Sequence, residues 1–190
     1  MDVRHPPGER RRPGGATRQG SRFQNLSNVP DSMRERVRAR DRLLISAAVL
    51  TGLASLLHLG IILGGPDWYR FFGAGEEMAR LAAAGSAYPT VVTSGIALVL
   101  AVWALYGASG AGMIRRLPLL RLALALIAAV YLARGILGVP YVLFVESPYA
   151  NELEARMTFM LVSSALCVYL GACYAAGAVS ARKETFAPDA

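Results

Sequence analysis

Charge is scarce in this chain. Asp, Glu, Lys and Arg make up only 17% of its 190 residues, while hydrophobic residues make up 54%, against about a quarter charged in ordinary soluble domains. Lysine is nearly missing, with Lys183 alone beside nineteen arginines. Cysteine is limited to Cys167 and Cys173, both inside one apolar run, which excludes a disulfide-stapled secreted scaffold and a four-ligand zinc site. The glycine cluster Tyr106, Gly107, Ser109, Gly110 and Gly112 has neither the spacing nor the lysine of a phosphate loop. Residues 1–30 hold no apolar core of a cleavable signal peptide, so the hydrophobic run from residue 43 is expected to be an uncleaved anchor. No catalytic motif is legible. The sequence speaks to topology far more than to biochemical activity.

What is present is apolar length. Four runs, 43–63, 89–109, 119–139 and 157–178, each approach the ~20 residues needed to cross ~30 Å of hydrocarbon. They lack strand alternation, and backbone polar groups in lipid must be satisfied within the segment, so each run is expected to be a helix. The fold class that follows is all-α: a polytopic membrane protein with a four-transmembrane-helix bundle over 43–178. Around it lie a disordered basic tail (1–31), a juxtamembrane helix (32–42) and a C-terminal tail (179–190). Residues 1–42 contain eleven arginines and five acidic residues, with Arg10-Arg11-Arg12 among Pro6, Pro7, Pro13, Gly14 and Gly15, a composition that cannot offset ordering entropy. Ser32 and Glu35 have capping-box spacing at the start of the juxtamembrane helix.

Charge orients the bundle. An even number of spans puts both termini on one side. The basic tail, the Arg115-Arg116 turn and Arg182-Lys183 assign that side to the cytoplasm. The two outward loops are acidic, with Asp67, Glu76 and Glu77 against Arg70 and Arg80, and Glu146, Glu152 and Glu154 against Arg156. In the first outward loop, Trp68, Tyr69, Phe71 and Phe72 suit the headgroup boundary. Residues 75–82 there read as a short amphipathic interfacial helix, with Glu76 and Arg80 an i, i+4 pair.

Arg134 is the sharpest single feature, since no other charge lies between Leu122 and Val145. A central arginine in a span costs ~2.5–3.5 kcal/mol and needs a carboxylate, water or a lipid phosphate. If the span ends near Pro140, the guanidinium snorkels partly outward. Tyr131 and Gly138 flank it at i−3 and i+4. His58 in the first span shares a face with Thr51 and Ser55. It reads either as a proton relay or headgroup ligand, or as a plain helix-to-helix hydrogen bond. Topology brings His58, Arg134 and the loop carboxylates to one side, so an outward pocket of His58, Arg134, Glu76, Glu77 and Tyr131 is expected, with Arg134 paired to Glu76 or Glu77. The plainer reading of these glutamates is that acidic residues in a helix's first turn favour its dipole. No metal site is expected, because adjacent glutamates diverge on a helix and lack His or Cys neighbours. Cys167 joins Ser163, Gly171 and Ala175 in a row of small residues suited to helix packing.

Basic tails also attract nucleic acid, but Phe23 is the only aromatic residue interleaved in this one, and anionic lipid is the nearer phosphate. Arg34, Arg36, Arg38, Arg40 and Arg42 are therefore expected at lipid headgroups, with no specific nucleic acid and no cofactor. A homo-oligomer or a partner membrane protein also fits. Gly64-Gly65-Pro66 with Glu76, Ala79 and Arg80 parallels Gly138-Val139-Pro140 with Glu152, Ala155 and Arg156 at offsets of 74 and then 76 residues. A duplicated hairpin would explain this, and so would chance, given so few matches.

Several short motifs carry a resemblance: Gly73-Ala74-Gly75-Glu76, Gly85-Ser86 with Pro89, Trp103-Ala104-Leu105-Tyr106, Ser109-Gly110-Ala111-Gly112, Arg116-Leu117-Pro118-Leu119, and Tyr131 through Arg134-Gly135. Together they resemble a family of small four-span bacterial inner-membrane proteins. The match covers residues 58–135 and leaves the tail and fourth span outside. It implies the fold and no particular activity. In span count and size alone the chain is also similar to the DoxX-like proteins, whose redox associations are not carried over. Three functional expectations follow: binding of a lipid, small amphiphile or partner helix at the outward pocket; an enzyme acting on a lipid or quinone; or an accessory subunit of a transporter.

Overall fold

The computed structural model describes residues 31–145 and 148–184. Contacts divide the chain into a unit Met1–Arg36, of which only the helical backbone of 31–36 is described, and a unit Val37–Ala190. The expected disordered tail lies outside the described residues. So do the side chains of Ser32, Arg34 and Arg36, and all of Glu146.

Every regular element among the described residues is helical: α1 (Asp31–Gly64), α2 (Pro66–Phe71), α3 (Glu76–Ala83), α4 (Tyr88–Gly110), α5 (Leu120–Phe144), α6 (Pro148–Glu154) and α7 (Met157–Glu184). Four stretches are long and apolar enough to cross a membrane: Arg38–Gly64, Tyr88–Gly110, Leu120–Phe144 and Met157–Ser180. Their outer faces carry exposed leucine, valine and isoleucine, Leu53, Leu56, Val91, Leu98, Ile136 and Val162 among them. So much contiguous apolar surface suits hydrocarbon rather than water.

The third apolar run extends further than expected. Pro140 reads in sequence as a stop, yet α5 continues through it to Phe144 before Val145 turns extended. Proline removes only one backbone donor, and a single lost bond in the last turns of an otherwise bonded helix is tolerated.

The core is a seam shared by all four long helices. Leu44 and Ala47 of α1, Leu100 of α4, Leu124, Ile127, Ala128 and Tyr131 of α5, and Leu170, Cys173, Tyr174 and Ala178 of α7 form one buried cluster. The tightest approach joins α5 and α7, where glycine lets backbones meet. A Cβ on Gly135 would lie 2.9 Å from both the Ser164 carbonyl oxygen and the Val168 nitrogen, and one on Gly171 would lie 3.1 Å from the Leu132 nitrogen. The expected small-residue row on α7 is thus real at Gly171, but Ser164 and Val168 make the close contacts instead of Ser163 and Cys167.

At one end of the bundle, a turn runs from Gly112 to Leu119. Ser109 Oγ donates to the Arg115 carbonyl and accepts from the Leu117 amide. At the other end α2, α3 and α6 lie over the helix termini; this is the loop end below. The short helix expected over 75–82 is α3, while α2 and α6 were not anticipated. Tyr69, expected at the headgroup boundary, is instead buried against Ile61 and Ala79.

Candidate functional site

Two carboxylates placed at the expected pocket have other partners. Arg70 Nε and Nη2 donate to Glu76 at 2.8 Å, and Arg70 Nη1 donates to Asp67 at 3.0 Å. Glu77 pairs with Arg80 at 2.7 Å across i, i+3. The expected Glu76–Arg80 pair is therefore replaced, because α2 brings Arg70 to Glu76 and leaves Arg80 to Glu77. The expected contact of Arg134 with Glu76 or Glu77 is likewise absent among the described ion pairs. The hydrogen bond from Arg70 holds the Glu76 carboxyl below its ordinary range, and Arg80 does the same for Glu77. Both arginines are pushed up in return.

The loop segments clasp each other through three hydrogen bonds. Tyr149 Oη donates to the Gly73 carbonyl at 3.0 Å, the Glu76 amide donates to Glu152 Oε2 at 2.9 Å, and Arg156 Nη1 donates to the Phe71 carbonyl at 2.9 Å. Glu152 thereby satisfies a free amide at the start of α3, whose own N-cap, Gly75, offers no side chain. Gly75 has φ +96°, and a Cβ there would lie 3.1 Å from the Tyr149 ring, so glycine serves both the turn and the docking of α6. The segments that parallel each other in sequence are thus in direct contact.

Arg134 sits beneath this clasp, on the side of the bundle. Its guanidinium lies over Gly138, within contact of the space a side chain there would fill, and Nη2 is 3.9 Å from Met160 Sδ. Ala133, Arg134, Leu137, Gly138, Tyr141, Tyr149, Leu153 and Met160 bound a cavity of about 260 Å³. Leu137, Tyr141 and Tyr149 are each exposed at its mouth. Partial burial pushes the Tyr149 phenol up, and the nearby Arg134 charge opposes that shift. No carboxylate among the described residues lies within ion-pair distance of Arg134. Met160 is the fourth residue of α7, so the guanidinium lies toward the loop end, as snorkelling requires.

Tyr131 does not join it. Although only three residues from Arg134, Tyr131 faces the core, where its hydroxyl contacts Thr51 Oγ1 at 3.3 Å and its ring stacks on Tyr174 at 5.9 Å. Tyr174 Oη lies 3.1 Å from the Trp103 carbonyl and 3.2 Å from Thr51 Oγ1. The carbonyl only accepts, so Tyr174's one hydroxyl hydrogen goes there. Thr51 then donates to Tyr174 and accepts from Tyr131. This directed chain ties all four long helices together and explains the buried tyrosines as structure.

His58 lies at the loop end of α1, as expected, but its Nδ1–H donates back to the Ala54 carbonyl at 2.7 Å. Thr51 and Ser55 are buried, and Ser55 Oγ donates to the Ala97 carbonyl of α4 at 2.7 Å. Neither His58 nor Glu76 borders the Arg134 cavity. Of the expected pocket residues only Arg134 borders the cavity, beside Gly138, the expected gap next to it, and with Tyr141, Tyr149 and Met160. Tyr141 is hidden in sequence because the span reads as ending near Pro140, and Tyr149 because α6 carries no signal there, while Met160 lies in the expected fourth span and only packing brings it to Arg134. Among the basic residues expected at headgroups, Arg38 and Arg42 are exposed, whereas Arg40 is partly buried and bonded to Asp41 at 3.0 Å. Among the described residues no cluster of His, Cys, Asp and Glu is suited to a metal ion. Compared with known proteins, the chain matches no family model, no curated protein and no solved structure.

Proposed function

We propose that this is an integral membrane protein that holds an anionic amphiphile against Arg134, at the side of the bundle in its outward half. The observation that carries the reading is a guanidinium in an apolar span with no carboxylate beside it among the described residues, opening sideways where acyl chains would lie. A cation so placed gains from negative charge or water, and a lipid-like acid supplies the charge together with a tail for the apolar flank. At about 260 Å³ the cavity is smaller than the ~300–1,000 Å³ of sites that enclose a drug-sized ligand, which suits a headgroup whose tail stays outside. Both termini are cytoplasmic in this reading, from the arginine bias of the tail and the Arg115-Arg116 turn, in a bacterial inner membrane. The exposed Arg38 and Arg42 then meet anionic headgroups on that face. Binding is preferred to catalysis because His58, the available acid or base, does not border the cavity.

The test is native mass spectrometry of the protein released from nanodiscs of mixed phosphatidylglycerol and phosphatidylcholine. Wild type is expected to retain phosphatidylglycerol, and Arg134→Gln to reduce that retention at least about fivefold, the worth of ~1 kcal/mol. Glu146→Gln, which removes the outward-loop carboxylate that lies outside the described residues, leaves retention unchanged. Equal retention by wild type and Arg134→Gln overturns the reading, as does a rise in retention with Glu146→Gln, which would mark Glu146 as the counter-ion.

A further inference from the structure

At the loop end, the clasp between the α2–α3 segment and α6 leaves a cavity of about 410 Å³ with charges of both signs in its wall: Arg70, Glu76, Glu152 and Arg156. Arg70 and Glu76 neutralise each other. The guanidinium nitrogens of Arg70 are all taken, Nε and Nη2 by Glu76 and Nη1 by Asp67. Glu152 and Arg156 are left over. Their i, i+4 spacing would pair them within a helix, but α6 ends at Glu154, and Arg156 lies in the turn that follows, its amide bonded to the Leu153 carbonyl. Each side chain is then held elsewhere by one atom, Glu152 Oε2 by the Glu76 amide and Arg156 Nη1 by the Phe71 carbonyl, both at 2.9 Å. Among the described residues neither has an ion-pair partner, and Glu152 Oε1 and Arg156 Nε and Nη2 accept or donate no hydrogen bond. Ala155 and Arg156 also border a second cavity of about 420 Å³, whose wall includes Phe71, Met157 and Phe159. Both phenylalanines are exposed there.

We propose that this loop-end cavity seats the zwitterionic phosphoethanolamine headgroup of a membrane lipid, at a site separate from Arg134. Charge complementarity selects the chemistry. An anion alone would face Glu152 and a cation alone would face Arg156, so the match is a group that carries one charge of each sign and no net charge. The phosphate accepts from the open guanidinium nitrogens of Arg156, and the primary ammonium donates to Glu152 Oε1, each bond being charge-assisted. Choline carries no N–H to donate, so ethanolamine is favoured over it. The volume lies within the ~300–1,000 Å³ of small-ligand sites. Position selects a lipid as the source. The cavity lies at the loop end of four apolar spans, and the aromatic side chains exposed beside Arg156 suit the boundary where acyl chains begin.

The experiment is native mass spectrometry of the full-length protein released from nanodiscs of phosphatidylethanolamine and phosphatidylcholine in equal amounts. Wild type is expected to retain phosphatidylethanolamine about fivefold over phosphatidylcholine, the upper worth of an exposed ion pair. Glu152→Gln keeps an oxygen for the Glu76 amide, so the clasp stands while the charge is lost, and the preference falls to near parity. Arg156→Gln lowers phosphatidylethanolamine retention about fivefold. Glu152→Gln keeps the test decisive should Arg156→Gln fail to fold. Arg80→Gln, which removes an outward arginine that does not border the cavity, changes neither quantity. Neither Glu152 nor Arg156 borders the Arg134 cavity, so these losses report on the loop-end seat. Titration with glycerophosphoethanolamine, the same headgroup without acyl chains, separates the sources: its binding with no lipid retained would overturn the lipid origin. Equal retention of the two lipids by wild type overturns the inference, as does a preference that survives Glu152→Gln or falls as far with Arg80→Gln.

Discussion

Thr51 shows how much one small side chain carries in an apolar interior. Its hydroxyl bridges the phenol oxygens of Tyr131 and Tyr174, from α5 and α7, and through Tyr174 it reaches the α4 backbone at Trp103. Replacing it with valine keeps the volume but leaves Tyr131 with a buried hydroxyl and no acceptor. Thr51→Val is expected to destabilise the folded protein in detergent by about 1–2 kcal/mol, and Thr51→Ser to restore most of it. Thermal unfolding of the three proteins checks this. The pair would refute the hydrogen-bond account if valine and serine behaved alike. Arg134 illustrates the opposite condition. Its charge has no described carboxylate beside it, and the acceptor it meets among the described residues is a thioether, a weak one.

At the scale of elements, close packing and capping decide the geometry that positions the site. α5 and α7 approach at Gly135 so closely that an added methyl meets backbone atoms rather than a movable side chain. Gly135→Ala should therefore cost about 1–3 kcal/mol by overpacking, measurable as a lower unfolding midpoint, whereas Gly95→Ala, with open space around it, should be neutral. A comparable loss at both positions would overturn the packing account, because helix propensity alone favours alanine over glycine at either. The turn between α4 and α5 carries its own strain: Leu119 has φ +53° and lies just before α5 as its N-cap, a conformation rare for a leucine. α6 owes its position to bonds from outside itself, since Glu152, Tyr149 and the following Arg156 all reach the α2–α3 segment.

For the molecule as a whole, four long apolar helices and an uneven distribution of arginine give a topology that chemical labelling tests directly. Cysteines placed at Ala84, at the loop end, and at Met113, in the opposite turn, are both exposed. In intact cells a membrane-impermeant maleimide is expected to label Ala84→Cys, and Met113→Cys only after permeabilisation. The reverse pattern would invert the orientation and place the Arg134 cavity in the inner half. The four spans, their helical form and α3 were all legible in sequence, because each depends on local composition and period. The pocket was legible only at Arg134, with Gly138 as the gap beside it. Glu76 and Tyr131 each had a partner that no spacing rule reveals, Glu77 took the i, i+3 arginine of its own helix, and Tyr149 entered through α6 while Met160 and Ser164 entered through contacts between distant segments.

Sequence by itself determined that the chain is helical, that four stretches are long enough to cross hydrocarbon, and that one arginine would be stranded among apolar residues. Hydropathy and length settle these because the backbone's need for internal hydrogen bonds leaves a single local solution. Only tertiary structure decided which groups surround that arginine. Partner choice depends on which carboxylate the fold places within reach and which helix faces can touch, and here α2 gave Glu76 to Arg70 while the glycine seam of α5 and α7 set Ser164 beside Gly138.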